Sequence, residues 1–242
     1  MIMIEIKDLN VTYDGKIEAL SGIDLEIEDN VKLGLIGPNG AGKSSLFRAL
    51  TGLTDFSGSI EVNGLNVERK NLPEIRKLIG YVIQESDDQM FMPTVIEDMI
   101  FGPVNYGMKK DEAVRQAEEL LRSLGIEDLK ERHSHKISEG EKKMASISAI
   151  LMMKPEIILF DEPASCLDPH NRRKIINAIN EINATKIIAS HDLDLIFDTC
   201  DEVLLLSRGK AVKRGTCDEI LRDKALLEEN GLELPLSLTG RV

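Results

Sequence analysis

Apolar residues recur along the chain with two periods. In the first third they alternate. Ile2, Ile4 and Ile6, and again Ile23, Leu25 and Ile27, are each separated by one residue, the pattern of half-buried strands. Residues 59–62, between Gly58 and Asn63-Gly64, predict a short strand ending in a turn. Residues 31–36 form a compact apolar strand that runs into a glycine-rich loop, and 79–83 form another. In the middle the period becomes helical: Ala113, Ala117, Leu120, Leu121 and Leu124 fall on one face among Glu, Arg and Gln. Thr94-x-x-Glu97 and Ser138-x-x-Glu141 are capping-box patterns that open two further helices, the second running to Met153. From Glu156 the pattern alternates: strand 157–160, a helix stripe of Ile175, Ile179 and Ile182, then strands 186–189 and 203–206. That alternation predicts a parallel sheet with helices on both faces, into which the helical stretch 85–152 is inserted.

Composition narrows the field. The 242 residues carry 42 Asp and Glu against 30 Lys and Arg, a net charge of −12, which argues against the basic face of a nucleic-acid binder. Trp is absent and aromatics are 4%, so base-stacking platforms are not expected. No apolar run approaches the roughly 18 to 20 residues of a membrane span. Glu5, Lys7 and Asp8 interrupt the N-terminus, so no signal peptide is expected. Cys166, Cys200 and Cys217 are odd in number without CxxC spacing, which points to a reducing compartment and no zinc site.

The strand 31–36 leads into Gly37-Pro38-Asn39-Gly40-Ala41-Gly42-Lys43-Ser44-Ser45, a G-x-x-x-x-G-K-[ST] loop. Its glycines let backbone N–H groups converge on phosphate oxygens. Lys43 would reach the β- and γ-phosphates and Ser44 would ligate Mg²⁺. The strand 157–160 ends in Asp161-Glu162-Pro163. Carboxylates at that edge of an open α/β sheet can sit beside the phosphate loop, Asp161 holding Mg²⁺ and Glu162 polarising the attacking water. The strand 186–189 ends at Ser190-His191-Asp192. His191 could face the γ-phosphate or be structural, and Asp192 could N-cap the next helix.

Together these residues resemble the nucleotide-binding subunit of ABC transporters across nearly the whole chain. Besides the phosphate loop, Tyr13 matches the aromatic that stacks on adenine and Gln84 the Q-loop glutamine. The segment 137–141 (Ile-Ser-Glu-Gly-Glu) matches the signature motif, 165–169 the D-loop and His191 the H-loop. The resemblance implies an α/β fold: a P-loop NTPase (RecA-like) core with an N-terminal antiparallel β subdomain and an inserted α-helical subdomain. The expected boundaries are 1–84 and 153–222 for the core with its β subdomain, 85–152 for the helical signature subdomain and 223–242 for a C-terminal tail. The implied cofactors are ATP and Mg²⁺. Glu162, His191 and Gln84 would be catalytic. Tyr13, residues 37–45, Ser138, Gly140, Glu141 and Asp168 would bind nucleotide, and Ser44, Gln84 and Asp161 would hold the metal.

The segment 86–98, with Asp87-Asp88-Gln89-Met90-Phe91, looks like the energy-coupling-factor group, and 226–235 is similar to its cobalt and nickel branch. That implies an ATPase on the cytoplasmic face of the membrane, powering an importer of cobalt or nickel. It would be a homodimer, or a heterodimer with a related ATPase, on integral membrane subunits, without nucleic acid. The alternatives are a vitamin importer of the same group, a soluble non-transport ABC ATPase, and a regulatory cassette that binds ATP but barely turns it over. Met90, Phe91 and Met92 are expected to line a groove for partner helices, with core packing as the alternative. Two positions depart from the family: Glu139 stands where the signature has glycine, and Met144 where a basic residue is common. A carboxylate at 139 would repel phosphate by about 1 kcal/mol if solvated, or could point away and favour the helix dipole.

Overall fold

The computed structural model describes residues 1–239, so the last three residues of the expected tail lie outside the described part. Two sheets organise it. The smaller is antiparallel, in the order β2-β1-β4-β5: β1 (Ile2–Tyr13) and β2 (Ile17–Glu28) form a hairpin, and β1 also pairs with β4 (Ser57–Val62), which carries β5 (Leu65–Asn66). Strict alternation fails at two places in β1. The register shifts between Ile2 and Ile4, so Met3 turns inward and Ile2 is left exposed, against expectation. It shifts again between Ile6 and Leu9, at Asp8 (φ 46°), which moves the buried set from Ile4 and Ile6 to Leu9 and Val11. A bulge of one residue changes which parity faces the core.

The larger sheet has six strands in the order β10-β9-β3-β8-β7-β6. The strand β3 (Lys32–Ile36) lies between β8 (Thr185–Ala189) and β9 (Glu202–Ser207), with β7 (Ile157–Asp161) and β6 (Ile79–Val82) beyond β8, all parallel. Antiparallel β10 (Lys210–Thr216) closes one edge. The inner strands are mostly apolar because both faces are covered, one by the antiparallel sheet and the helix 43–50, the other by the helices 169–181 and 193–199; Phe160 on β7 and Phe47 on the covering helix are fully buried, each stabilising by about 1.5–3 kcal/mol. Lys186 is a charged exception. Buried in the middle of β8, its Nζ donates to the Ile179 and Ile182 carbonyls (2.6 and 2.7 Å) and so caps the C-terminus of the helix Pro169–Glu181.

Helices α1 (Lys43–Leu50) and α2 (Leu72–Leu78) precede β6. Between β6 and β7 lie α3 (Ser86–Gln89), α4 (Val95–Asn105), α5 (Lys110–Ser123) and α6 (Glu139–Leu151), with an apolar cluster of their own that includes Met90, Val95, Met99, Ala113, Ala117 and Leu121. Both predicted capping boxes close, Thr94 with Glu97 and Ser138 with Glu141. The helix α6 stops at Leu151, two residues short of Met153, because Lys154 turns into the left-handed region (φ 51°) ahead of Pro155. Then follow α7 (Pro169–Glu181), α8 (Leu193–Thr199), α9 (Cys217–Leu221) and α10 (Lys224–Glu229). After α10, Leu232, Leu234 and Leu238 pack on the core beneath α7 and α8, and the Leu236 and Ser237 amides donate to the Asp194 carboxylate. No described helix is long and apolar enough to cross a membrane.

Candidate active site

Four parallel neighbours deliver the site. The C-terminal ends of β3, β8, β7 and β6 lead respectively into the 37–45 loop, Ser190-His191, Asp161-Glu162 and Gln84. Ligands bind at this edge of an open α/β sheet. A cleft of about 320 Å³ there is lined by Tyr13, Asn39 to Ser45, Gln84, Asp161 and Glu162, among others.

The loop needs its last glycine. Gly42 N-caps α1 at φ 106°, and a Cβ there would lie 2.5 Å from Leu20 Cδ2 and 2.6 Å from the Ala19 carbonyl. Lys43 is buried and its Nζ donates to the Gly37 carbonyl at 2.7 Å. Desolvation lowers its pKa, opposed by the charges of Glu162 and Asp161. The Tyr13 hydroxyl lies 3.3 Å from Ser45 Oγ and donates to it, which fixes the ring against the start of α1.

Glu162 is buried and adopts φ 48°, a left-handed conformation uncommon for a side chain of this size. Its backbone N–H donates to the Ala189 carbonyl, and its carboxylate accepts from Ser190 Oγ (3.1 Å), His191 N (3.1 Å) and His191 Nδ1 (2.7 Å). An ionised carboxylate only accepts, so Nδ1 carries the proton and the ring orients Glu162. His191 thus turns to Glu162 rather than lining the cleft, and Asp192 N-caps α8 through the Leu195 amide. Beside it, Asp161 Oδ2 accepts from the Tyr81 hydroxyl at 3.1 Å, and burial with the Asp161 charge pushes the Tyr81 pKa up. Ser44, Gln84 and Asp161 contribute hydroxyl, carboxamide and carboxylate oxygens to one cleft, a donor set suited to a hard cation. The described residues contain no group of three or more His, Cys, Asp or Glu that could hold a metal alone. A Mg²⁺ fits there only together with nucleotide phosphates.

The remaining residues implied by the resemblance sit elsewhere. Ser138 and Glu141 cap α6, where the Ser138 backbone and side-chain hydrogen bonds lower the Glu141 pKa. Asp168 N-caps α7, accepting from the His170 and Asn171 amides and from Asn171 Nδ2 (2.6 Å). Gly140 packs on α7, where a Cβ would meet Asn171 Cγ at 2.5 Å. None of Ser138, Gly140, Glu141 or Asp168 lines the cleft. Glu139 is largely exposed and pairs with Lys142 Nζ at 2.9 Å, which offsets its charge and draws it along α6. Met144 is buried in the core. Of the expected docking residues, Met90 belongs to the helical core and Met92 is half-buried; Phe91 is exposed and stacks edge-on against Phe101 (4.8 Å), one turn of α4 from exposed Val104, while exposed Tyr106 lies under Lys77. Tyr81 and Ser190 join the site without any motif that marks them. Each lies within or directly after a strand that delivers a site residue, the only signal available for them.

Residues 20–165 match the ABC transporter family. An ABC transporter ATP-binding protein of Gloeobacter violaceus is 41% identical over 236 residues, 96% of this chain and 97% of its own length. An energy-coupling factor transporter ATP-binding protein, EcfA of Methanosphaera stadtmanae, is 40% identical over 239 residues, 96% of this chain and 86% of its own. The fold is similar to cbiO1 of Clostridium perfringens, part of the ABC transporter complex cbiONQ (TM-score 0.83, 32% identity, 94% of each chain). The chain therefore belongs to the ATP-binding subunits of ABC transporters, ATPases that couple hydrolysis to transport.

Proposed function

We propose that this chain is the ATPase of an energy-coupling-factor importer, acting as one of a pair of ATPase chains on the cytoplasmic face of integral membrane subunits. The observation that carries this is a division within the chain. The phosphate loop, Asp161 and Glu162 share one cleft, whereas Ser138, Gly140 and Asp168 lie outside it, available to a second chain's nucleotide. Residues 37–45 cradle the phosphates with Lys43 as counter-charge, and Tyr13 stacks on adenine. Ser44, Gln84 and Asp161 would hold Mg²⁺, which neutralises phosphate charge when bound. Glu162, oriented by His191 and Ser190, accepts a proton from the attacking water. The expected division into a 1–84 and 153–222 core, an 85–152 helical unit and a tail from 223 is supported by the apolar cluster that runs from Met90 to Met152, although Met144 and Ile147 of α6 and Leu227 of the tail join the core cluster.

The exposed Phe91, Phe101 and Val104 supply an apolar face for a membrane subunit. Cobalt or nickel is the proposed cargo, supported by the 226–235 segment and the likeness to cbiO1. In the test, Glu162→Gln retains ATP binding, stalls hydrolysis and accumulates as a nucleotide-bound dimer. Turnover at the wild-type rate would refute the role of Glu162. Co-purification with a hydrophobic subunit, and ATP-dependent uptake of ⁵⁷Co or ⁶³Ni by the reconstituted complex, test the partner and the cargo.

A further inference from the structure

The segment that follows β6 is fastened to α6 over its whole length. Lys143 is almost fully buried (3% exposed), and its Nζ donates to the Ile83 carbonyl (3.0 Å) and the Gln84 carbonyl (2.6 Å). The Gln89 carboxamide bridges the same two elements: its Oε1 accepts from Ile83 N (3.1 Å) and its Nε2 donates to the Ser146 carbonyl (3.2 Å). Lys142 adds an ion pair to Asp87 at 2.8 Å. The carbonyls of Ile83 and Gln84 are thus held by Lys143 of α6, and the Ile83 N–H by Gln89 of α3, while Gln84 lines the cleft. One residue upstream, Val82 is fixed in the sheet against Phe160.

A buried ammonium is costly, and burial lowers the Lys143 pKa despite the nearby charges of Glu85, Asp161 and Glu139. An apolar residue would fill the space without that cost, so the cation is there for what it binds. It does not line the nucleotide cleft. Ser138 lies five residues back along the same helix, about 7.5 Å at the usual rise.

We propose that Lys143 is a positioning residue that clasps the main chain of Gln84 to α6 and so fixes where Gln84 enters the cleft. This rests on the reading of Gln84 as a nucleotide-facing group.

The test is Lys143→Met in the full chain, which keeps the length of the side chain and removes the cation. Hydrogen exchange of the Ile83 amide, which donates to Gln89 Oε1, should accelerate at least about tenfold in the chain without nucleotide as the clasp opens. Steady-state hydrolysis should lose at least about tenfold in kcat, with KM for ATP within about twofold, because misplacement of a contacting group costs rate rather than ground-state binding. Adding Gln84→Ala to Lys143→Met should cost little more than either alone. Lys143→Gln, which keeps a donor, should recover part of both readouts, and it decides the matter by exchange if Lys143→Met does not fold. Unchanged exchange at Ile83, or additive losses in the double variant, would overturn the proposal. Wild-type hydrolysis by Gln84→Ala alone would instead overturn the reading of Gln84, and it shows itself separately because the exchange measurement needs no nucleotide.

Discussion

Gly140→Ala tests why the signature segment keeps a glycine. If that glycine serves only to let a second chain's nucleotide approach, an added methyl leaves the isolated chain untouched. The structure gives a reason inside the chain. The new Cβ would stand 2.5 Å from Asn171 Cγ and 2.8 Å from both Asn171 Cβ and Nδ2. Rotating Asn171 moves Cγ and Nδ2 but not Cβ, so α6 and α7 must separate by several tenths of an ångström. The rotation would also break the 2.6 Å bond from Asn171 Nδ2 to Asp168, part of the α7 cap. Overpacking costs about 1–3 kcal/mol. Against it, alanine is favoured over glycine within a helix by at most about 1 kcal/mol, and less in the first turn. The net expectation is a loss of about 1–2 kcal/mol, or a melting temperature lower by about 2–8 °C for a chain of this size. The assay is thermal unfolding of the purified chain without nucleotide, for Gly140→Ala, Asn171→Ala and the double variant. The penalty should shrink in the Asn171→Ala background, since two of the three close atoms are gone. A melting temperature within about 1 °C of wild type, combined with lost hydrolysis, would refute the packing argument and leave nucleotide approach as the sole reason.

Three further outcomes are expected. Lys43→Ala should abolish tight nucleotide binding in an equilibrium titration, and unchanged affinity would end the assignment of the phosphate loop. Glu139→Gly should raise hydrolysis by about twofold, because the roughly 1 kcal/mol repulsion of a bare carboxylate is partly offset by Lys142; equal or lower turnover at saturating ATP would show that Glu139 faces away from nucleotide. Lys186 should make stability depend on pH. Burial depresses its pKa to about 8 in the folded chain from 10.5, so the unfolded chain binds more protons between those values. Stability should therefore rise from about pH 8 to 10.5, and denaturant melts of Lys186→Met should lack that rise; parallel pH profiles for the two proteins would contradict it.

Local signals carried a large part of this molecule. The phosphate loop, the capping boxes at Thr94 and Ser138, the acids that end β7 and the helix stripe of α5 are each written within a few consecutive residues, because hydrogen-bond caps, glycine turns and 3.6-residue periodicity act over one or two turns of chain. The tertiary structure alone decided what depends on distant partners. The order β10-β9-β3-β8-β7-β6 sets residues more than a hundred positions apart side by side, and no short-range pattern encodes it. The edge strand β10 is exposed along nearly all its length, so it carries no alternation to read. Bulges in β1 changed which residues face inward. Tyr81 on Asp161, Ser190 and His191 on Glu162, and Lys143 on the Gln84 carbonyl bind partners 28 to 80 residues away in sequence. Taken singly, a tyrosine, a serine and a lysine are ordinary residues. Only burial, which makes each polar group find a partner, converts them into parts of a site.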